Sequence, residues 1–201
     1  YRMMDDNIGY IQIEEFDEVT SDQFSQALDS LIEQGMEALV IDIRNNPGGI
    51  LDTVVAMLDE LLPEGTIVSV KDRNGTAQEY TSDADTKLTV PLTVLINGNS
   101  ASASEIFAGA IKDYGVGTLV GTTTYGKGIV QTAFSLSDGT GVKITIEDYY
   151  LPSGKSIHKV GVDPDVEIDL PDELKTYVTI PEDEDVQLQK AIEILKEQLQ
   201  K

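Results

Sequence analysis

The chain has no cysteine, no tryptophan and a single histidine, His158. Without cysteine it cannot form disulfides, thiolate metal sites or a cysteine nucleophile. With one imidazole it cannot build a clustered-histidine metal centre, so neither metal nor other cofactor is expected. Basic residues are scarce, 14 Lys and Arg against 36 Asp and Glu in 201 residues, for a net charge of -22. Such a surface repels nucleic acids and anionic membranes, and no nucleic-acid partner is expected. No run is long and apolar enough to cross a bilayer, and no signal peptide is legible. The first residue is Tyr1 and not Met, as expected of a piece of a longer chain.

What is present is a foldable composition. Hydrophobic residues make up 40% and charged residues 25%, which is ordinary for a globular protein with one core. The length allows one substantial domain with an appendage. Residues 8–13 alternate as a strand, and a helix follows from Thr20-Ser21-Asp22 to about Gly35. Residues 38–43 form a compact apolar run, the pattern of a buried strand. The loop Arg44-Asn45-Asn46-Pro47-Gly48-Gly49 comes next, then a helix with Leu51, Val54, Leu58 and Leu61 at helical spacing. Thr66–Lys71 and Ala77–Thr81 read as a hairpin about Asn74-Gly75. Leu92–Ile96 is a second buried strand, 101–112 a small-residue helix and 118–120 a short strand. Residues 129–136 and 142–149 pair about Asp138-Gly139. After Pro152 the chain is expected to be irregular until a last helix from Val186 to Lys201. That helix has one apolar face, for the body of the protein or for a second copy.

Strands alternate with helices through residue 120, so the fold class is α/β, with later antiparallel strands. In such sheets sites form where loops leave the C-terminal ends of strands. Two candidate loops leave there, Arg44–Gly49 and Asn97–Ser100.

Ser102 stands where a buried strand passes into a helix. Its hydroxyl lies beside unpaired amides at the positive end of that helix, which suits a nucleophile whose substrate gains negative charge. Ser102-Ala103-Ser104-Glu105 also fits a capping box, and Ser100 is a second capping candidate. A serine hydroxyl needs a base. His158 follows an exposed turn and is read as a surface or supporting residue. Lys127, in Tyr125-Gly126-Lys127-Gly128, is the better base. The flanking glycines allow close backbone approach, and period-two alternation puts Lys127, Ile129 and Gln131 on one strand face. A lysine with its ordinary pKa near 10.4 is only about 0.04% neutral at pH 7. A lysine base must therefore be buried and kept away from carboxylates. Gly48-Gly49 can turn amides outward as half of an oxyanion hole, with Ala103 as the other half.

Taken together these motifs resemble the carboxyl-terminal processing peptidases, or tail-specific proteases, which are Ser–Lys endopeptidases. The serine motif matches Ser100 to Ile106. The G-K-G lysine with a glutamine four residues on matches Lys127 and Gln131. The R-x-N-x-G-G loop matches Arg44, Asn46, Gly48 and Gly49. The resemblance covers residues 8 to about 170, including Gly161-Val162-Asp163-Pro164-Asp165. It implies Ser102 as nucleophile, Lys127 as general base, Gln131 as its orienting partner, and Gly48 and Ala103 as oxyanion donors. It also implies Asp113 as a supporting residue. The implied fold is a crotonase- or Clp-protease-like core of mixed β-sheet with packed helices, plus a C-terminal helix. The implied organisation is a peptidase core over 1–170 and a C-terminal extension over 171–201. No glycine-rich carboxylate-binding loop precedes Ile8, so the PDZ domain usual in the family is expected to be absent from this chain. The implied partner is a peptide or unfolded protein substrate; separately, the apolar face of the C-terminal helix is a candidate contact for a homo-oligomer. By family analogy the location is extracytoplasmic, in the periplasm or at the cell surface. The competing readings are a scaffold with a residual site, and an acyl-CoA enzyme of the related core. The latter would want basic residues for the CoA phosphates, and the acidic balance and the Ser/Lys/Gln set both speak against it.

Overall fold

The computed structural model describes residues 1–175, 177 and 180–200. Lys201, where the last helix was expected to end, lies outside them. In chain order the elements are β1 (Arg2–Met3), β2 (Ile8–Gln12), α1 (Thr20–Glu33), β3 (Ala38–Asp42), α2 (Leu51–Asp59), β4 (Gly65–Asp72) and β5 (Ala77–Ser82). They continue with β6 (Leu92–Ile96), α3 (Ala103–Tyr114), β7 (Thr118–Gly121), β8 (Ile129–Ser135), β9 (Gly141–Tyr150), β10 (Val166–Glu167) and α4 (Val186–Leu199).

Six strands form one sheet in the order β1-β2-β3-β6-β7-β10, parallel except for β1. The central strands are buried on both faces, which is why they read as continuous apolar runs. Their side chains alternate between two cores. Leu39, Ile41, Val94 and Ile96 join Phe24, Leu28, Met57 and Phe107 of α1, α2 and α3. Ala38, Val40 and Leu95 face the other way and meet Leu188, Ala191 and Leu195 of α4. The apolar face of α4 is thus engaged by this chain's own sheet.

The second sheet is antiparallel, in the order β5-β4-β9-β8. Its β4–β5 hairpin turns at Asp72–Gly75, where Asp72 accepts the amides of Asn74 and Thr76 at 2.8 Å each. The β8–β9 hairpin carries a register shift between Val130 and Gln131. The two-residue strands β1 and β10 were not expected, because a pair of residues is too short to show periodicity. α1 also differs at its start. Its N-cap is Val19, without a side-chain cap, and just ahead of it Asp17 accepts the Val19 amide at 3.0 Å and the Thr20 hydroxyl at 2.8 Å. Among the described residues no helix is long and apolar enough to cross a membrane.

Candidate active site

Because β3 and β6 are parallel neighbours, their C-terminal ends emerge at the same edge and their loops pack together. Buried Ser100 is not a helix cap. Its hydroxyl donates to the Ile43 carbonyl at 2.8 Å and accepts the Asn97 amide at 3.0 Å. Buried Asn46 donates to the Ile13 carbonyl at 2.8 Å, and its own carbonyl accepts the Ala101 amide at 3.0 Å and the Ser104 hydroxyl at 2.9 Å. Loops after β2, β3 and β6 are thereby fixed to one another just ahead of Ser102.

Ser102 begins α3 with φ 57° and ψ -114°. A left-handed φ in a residue with a side chain stores about 1–3 kcal/mol and persists only where its surroundings impose it. Gly48 (φ 105°) sits so close that a Cβ there would lie 2.8 Å from the Ser102 Cβ and 2.6 Å from the Ala101 carbonyl oxygen. Only glycine allows this approach.

The two loops meet the segment that carries Lys127 through Glu105. Its carboxylate is fully buried and accepts the Ser102 amide at 2.9 Å. It also accepts the Thr124 hydroxyl at 2.6 Å, the Gly126 amide at 2.7 Å and the Lys127 amide at 2.7 Å. A buried carboxylate is stable only when its lone pairs are satisfied in this way. The S-x-x-E spacing gave the Ser102 contact alone; the other three donors come from a segment about twenty residues on. On its far side that segment is held by the Lys159 amide, which donates to the Gly126 carbonyl at 2.8 Å. Gly128 packs against the His158 backbone, where a Cβ would lie 2.6 Å from the nitrogen. His158 supports this segment and does not line the cleft.

The result is a cleft of about 380 Å3 lined by Ser102, Lys127 and Gln131, with Gly49, Leu51, Val70, Tyr80, Lys143, Glu147 and Tyr149 around them. A larger groove of about 780 Å3 runs along β2 and α1, but its wall carries Glu14, Glu15 and Asp17 and no lysine. The candidate serine and lysine both line the smaller cleft. Lys127 is half-buried there, and among the described residues no carboxylate forms an ion pair with its amine.

Lys127, Ile129 and Gln131 all line the cleft, and the irregularity in the pairing beside them falls on β9. The bulge pairs Val130 with Glu147 and Gln131 with Thr145, leaving Ile146 as the extra residue. The Gln131 side-chain amide donates to Thr145 at 3.5 Å. Asp113 stands away from the cleft, in the last turn of α3, and accepts the Ser153 amide at 2.9 Å. It holds the turn after β9.

One expected donor needs correction. The Gly48 amide donates to Asn46 Oδ1 at 2.8 Å, inside its own loop, so it is not free for an oxyanion. Gly49 lines the cleft instead, and among the described residues its amide and that of Ala103 have no acceptor. Sequence alone cannot rank two adjacent glycines, because the ranking depends on where Asn46 turns.

Tyr149 was not anticipated. It is buried, lines the cleft, and its amide donates to the Gly128 carbonyl at 3.0 Å. Burial, with Glu147 and Tyr80 nearby, pushes its phenol above the ordinary range, while the Ser102 hydroxyl pulls it back. Tyr149 and the candidate nucleophile thus line the same cleft. The only signal in the sequence was a tyrosine at the inward end of a strand.

The sequence profile of peptidase family S41 matches residues 7–168. The chain belongs to that family. It is 40% identical over 189 residues to a carboxyl-terminal-processing protease of Synechocystis sp., covering 94% of this chain and 44% of the relative. It is 39% identical over 174 residues to carboxy-terminal processing protease CtpA of Bacillus subtilis, covering 86% of this chain and 37% of the relative. Among solved S41 folds, the photosystem II D1 C-terminal processing protease superimposes with a TM-score of 0.76 at 41% identity, over 84% of this chain and 45% of that one. The α/β class expected from the alternation of elements agrees with that match. The chain spans less than half the length of these relatives.

Proposed function

We propose that the chain is the catalytic part of a carboxyl-terminal processing serine protease, with Ser102 as nucleophile and Lys127 as general base. The observation that carries this reading is that both side chains line one cleft while no carboxylate among the described residues neutralises the Lys127 amine. Ser102 Oγ attacks the peptide carbonyl carbon, and the Lys127 amine takes the hydroxyl proton. The carbonyl oxygen becomes an oxyanion, received by the amides of Ala103 and Gly49. The C–N bond then breaks, the leaving amine takes the proton from Lys127, and an ester to Ser102 remains. Water deprotonated by Lys127 hydrolyses that ester and restores the serine.

Gln131 borders the lysine and helps to orient it. Asp113 supports the site at a distance, by holding the 152–154 turn. Residues 1–170 form the peptidase core on this reading, and 171–201 a C-terminal extension. The substrate is an extended peptide or unfolded protein segment, and the expected setting is extracytoplasmic, as for the family.

The test is cleavage of an unfolded polypeptide by the wild type, Ser102→Ala and Lys127→Ala, together with fluorophosphonate labelling. Each substitution is expected to lower kcat by at least about 1,000-fold, with labelling confined to Ser102. Equal cleavage by all three would sink the dyad.

A further inference from the structure

Arg44 opens the R-x-N-x-G-G loop and takes no part in the proposed acyl transfer. Its side chain is nevertheless almost wholly buried, 9% exposed, and every N–H of its guanidinium has an acceptor. Nε donates to Asp42 Oδ1 and Oδ2 at 3.0 and 3.1 Å. Nη2 donates to Asp42 Oδ2 at 2.6 Å and to Asp185 Oδ2 at 2.8 Å. Nη1 donates to Asp185 Oδ1 and Gln187 Oε1, both at 3.0 Å. Asp42 ends β3 and is also held by the Tyr10 hydroxyl at 2.8 Å. Asp185 is the N-cap of α4, accepting the Leu188 amide at 3.0 Å, and Gln187 donates to the Ile168 carbonyl at 2.7 Å.

One planar cation therefore joins the end of the central strand to the start of a helix some 140 residues later, directly ahead of Asn45–Gly49. That loop carries Asn46, whose bonds set the Gly48 and Gly49 backbone. If α4 served only to cover the sheet, its apolar contacts would suffice. A buried guanidinium bridging two carboxylates is a weak source of net stability, because desolvation offsets much of the attraction. Its strength is geometry: a five-donor fork fixes direction where a lysine could not.

We infer that the N-terminus of α4 is a positioning element of the active site, with Asp185 and Gln187 acting through Arg44 to set the Asn45–Gly49 loop and its oxyanion donor. The inference rests on the reading of Ser102 as nucleophile, with Gly49 beside it in the oxyanion hole.

Asp185→Asn tests it. Asparagine keeps the helix cap but turns an NH2 toward Arg44 and removes the second charge. Two quantities are read in the whole chain: the fluorophosphonate rate at saturating probe with its half-saturation concentration, and amide hydrogen exchange at residues 45–49. The maximal rate is expected to fall about tenfold per folded molecule, with half-saturation within about twofold, because the oxyanion donor is misplaced rather than the cleft blocked. Exchange in the loop is expected to speed up about tenfold. Leu28→Ala, a core change in α1 on the other face of the sheet, is the control for general destabilisation and should move neither quantity per folded molecule. Unchanged exchange in Asp185→Asn overturns the inference, and so does faster exchange with an unchanged labelling rate. If the wild type is not labelled at all, the nucleophile reading fails, and the exchange arm still decides whether α4 sets the loop. Should Asp185→Asn not fold, Gln187→Ala removes one acceptor from Arg44 and carries the same readouts, with an expected change of about threefold. No change there also overturns it.

Discussion

Ser102 leaves a strand buried on both faces, whereas Lys127 enters a hairpin that is largely open to solvent. Every residue of β6 is buried. Around its exit, Ser100, Asn46 and Ser104 are fully buried polar groups, each with partners. On the β8–β9 side Phe134, Val142 and Ile144 are 47%, 41% and 48% exposed. A segment that buries little apolar surface opens locally at low cost, while one with satisfied buried polar groups opens only with the whole fold. The amides proposed to receive the oxyanion thus take their geometry from the rigid parallel sheet. Lys127, the proposed base, belongs to a less stable arm, and the arm must be fastened to the sheet at a definite place. Glu105 is that fastening.

The largest expected effect comes from releasing it. Glu105→Gln replaces one acceptor oxygen with an NH2 facing amides that already point inward. Two or more charge-assisted bonds are lost in a fully buried place, at a cost of about 3–5 kcal/mol. Urea unfolding should show that loss, and Ser102 labelling should fall even in the fraction that stays folded. Stability near that of the wild type would mean that the two halves are held together by something other than this carboxylate.

A pair of glycine substitutions sharpens the same contrast with a smaller effect. In Gly48→Ala the new methyl meets the Ala101 carbonyl and the Ser102 Cβ, and the residue must hold φ 105°. About 2–4 kcal/mol is expected from strain and overpacking, with loss of Ser102 reactivity. In Gly141→Ala, on β9, the nearest atom is the Phe134 carbonyl oxygen at an ordinary 3.5 Å, and a change within about 0.5 kcal/mol is expected. Similar costs at the two positions would erase the distinction between the rigid sheet and the open arm.

The same contrast separates what the sequence could and could not reveal. The central strands were legible because burial on both faces leaves an unbroken apolar run, as in Ala38-Leu39-Val40-Ile41. The β4–β5 and β8–β9 hairpins were legible from Asn74-Gly75 and Asp138-Gly139. Ser102 and Lys127 were legible as candidates through local motifs, and the structure brings both to one cleft. What stayed hidden depends on contacts between distant segments. Glu105 looked like a local cap, yet three of its four donors belong to Thr124, Gly126 and Lys127. The exclusion of Gly48 depends on one side-chain amide of Asn46. Tyr149 and the Arg44–Asp185 bridge follow from pairings that no periodicity encodes.

The smallest expected effect sets two tyrosines against each other at high pH. Tyr10 belongs to the rigid sheet, where burial and then the neighbouring Asp42 raise its phenol above the ordinary range. Tyr149 belongs to the arm and is raised less, by burial first and then by Glu147 and Tyr80, with the Ser102 hydroxyl opposing the shift as Arg44 and Arg2 do at Tyr10. A raised folded value means that the fold favours the neutral phenol. The stability this gives is fully present below the unfolded value, about pH 10, and is lost as pH rises through the folded value, because the unfolded chain gives up its proton first. Within that window each such phenol contributes a slope of about 1.4 kcal/mol per pH unit. Urea midpoints measured from pH 9 upward should therefore fall less steeply in Tyr10→Phe than in the wild type. Tyr149→Phe should flatten the same limb by a smaller amount. If Tyr149→Phe flattened it more, the arm would hold its phenol in a drier and more rigid place than the parallel sheet does, and the order of stability argued for the two halves of the cleft would have to be reversed.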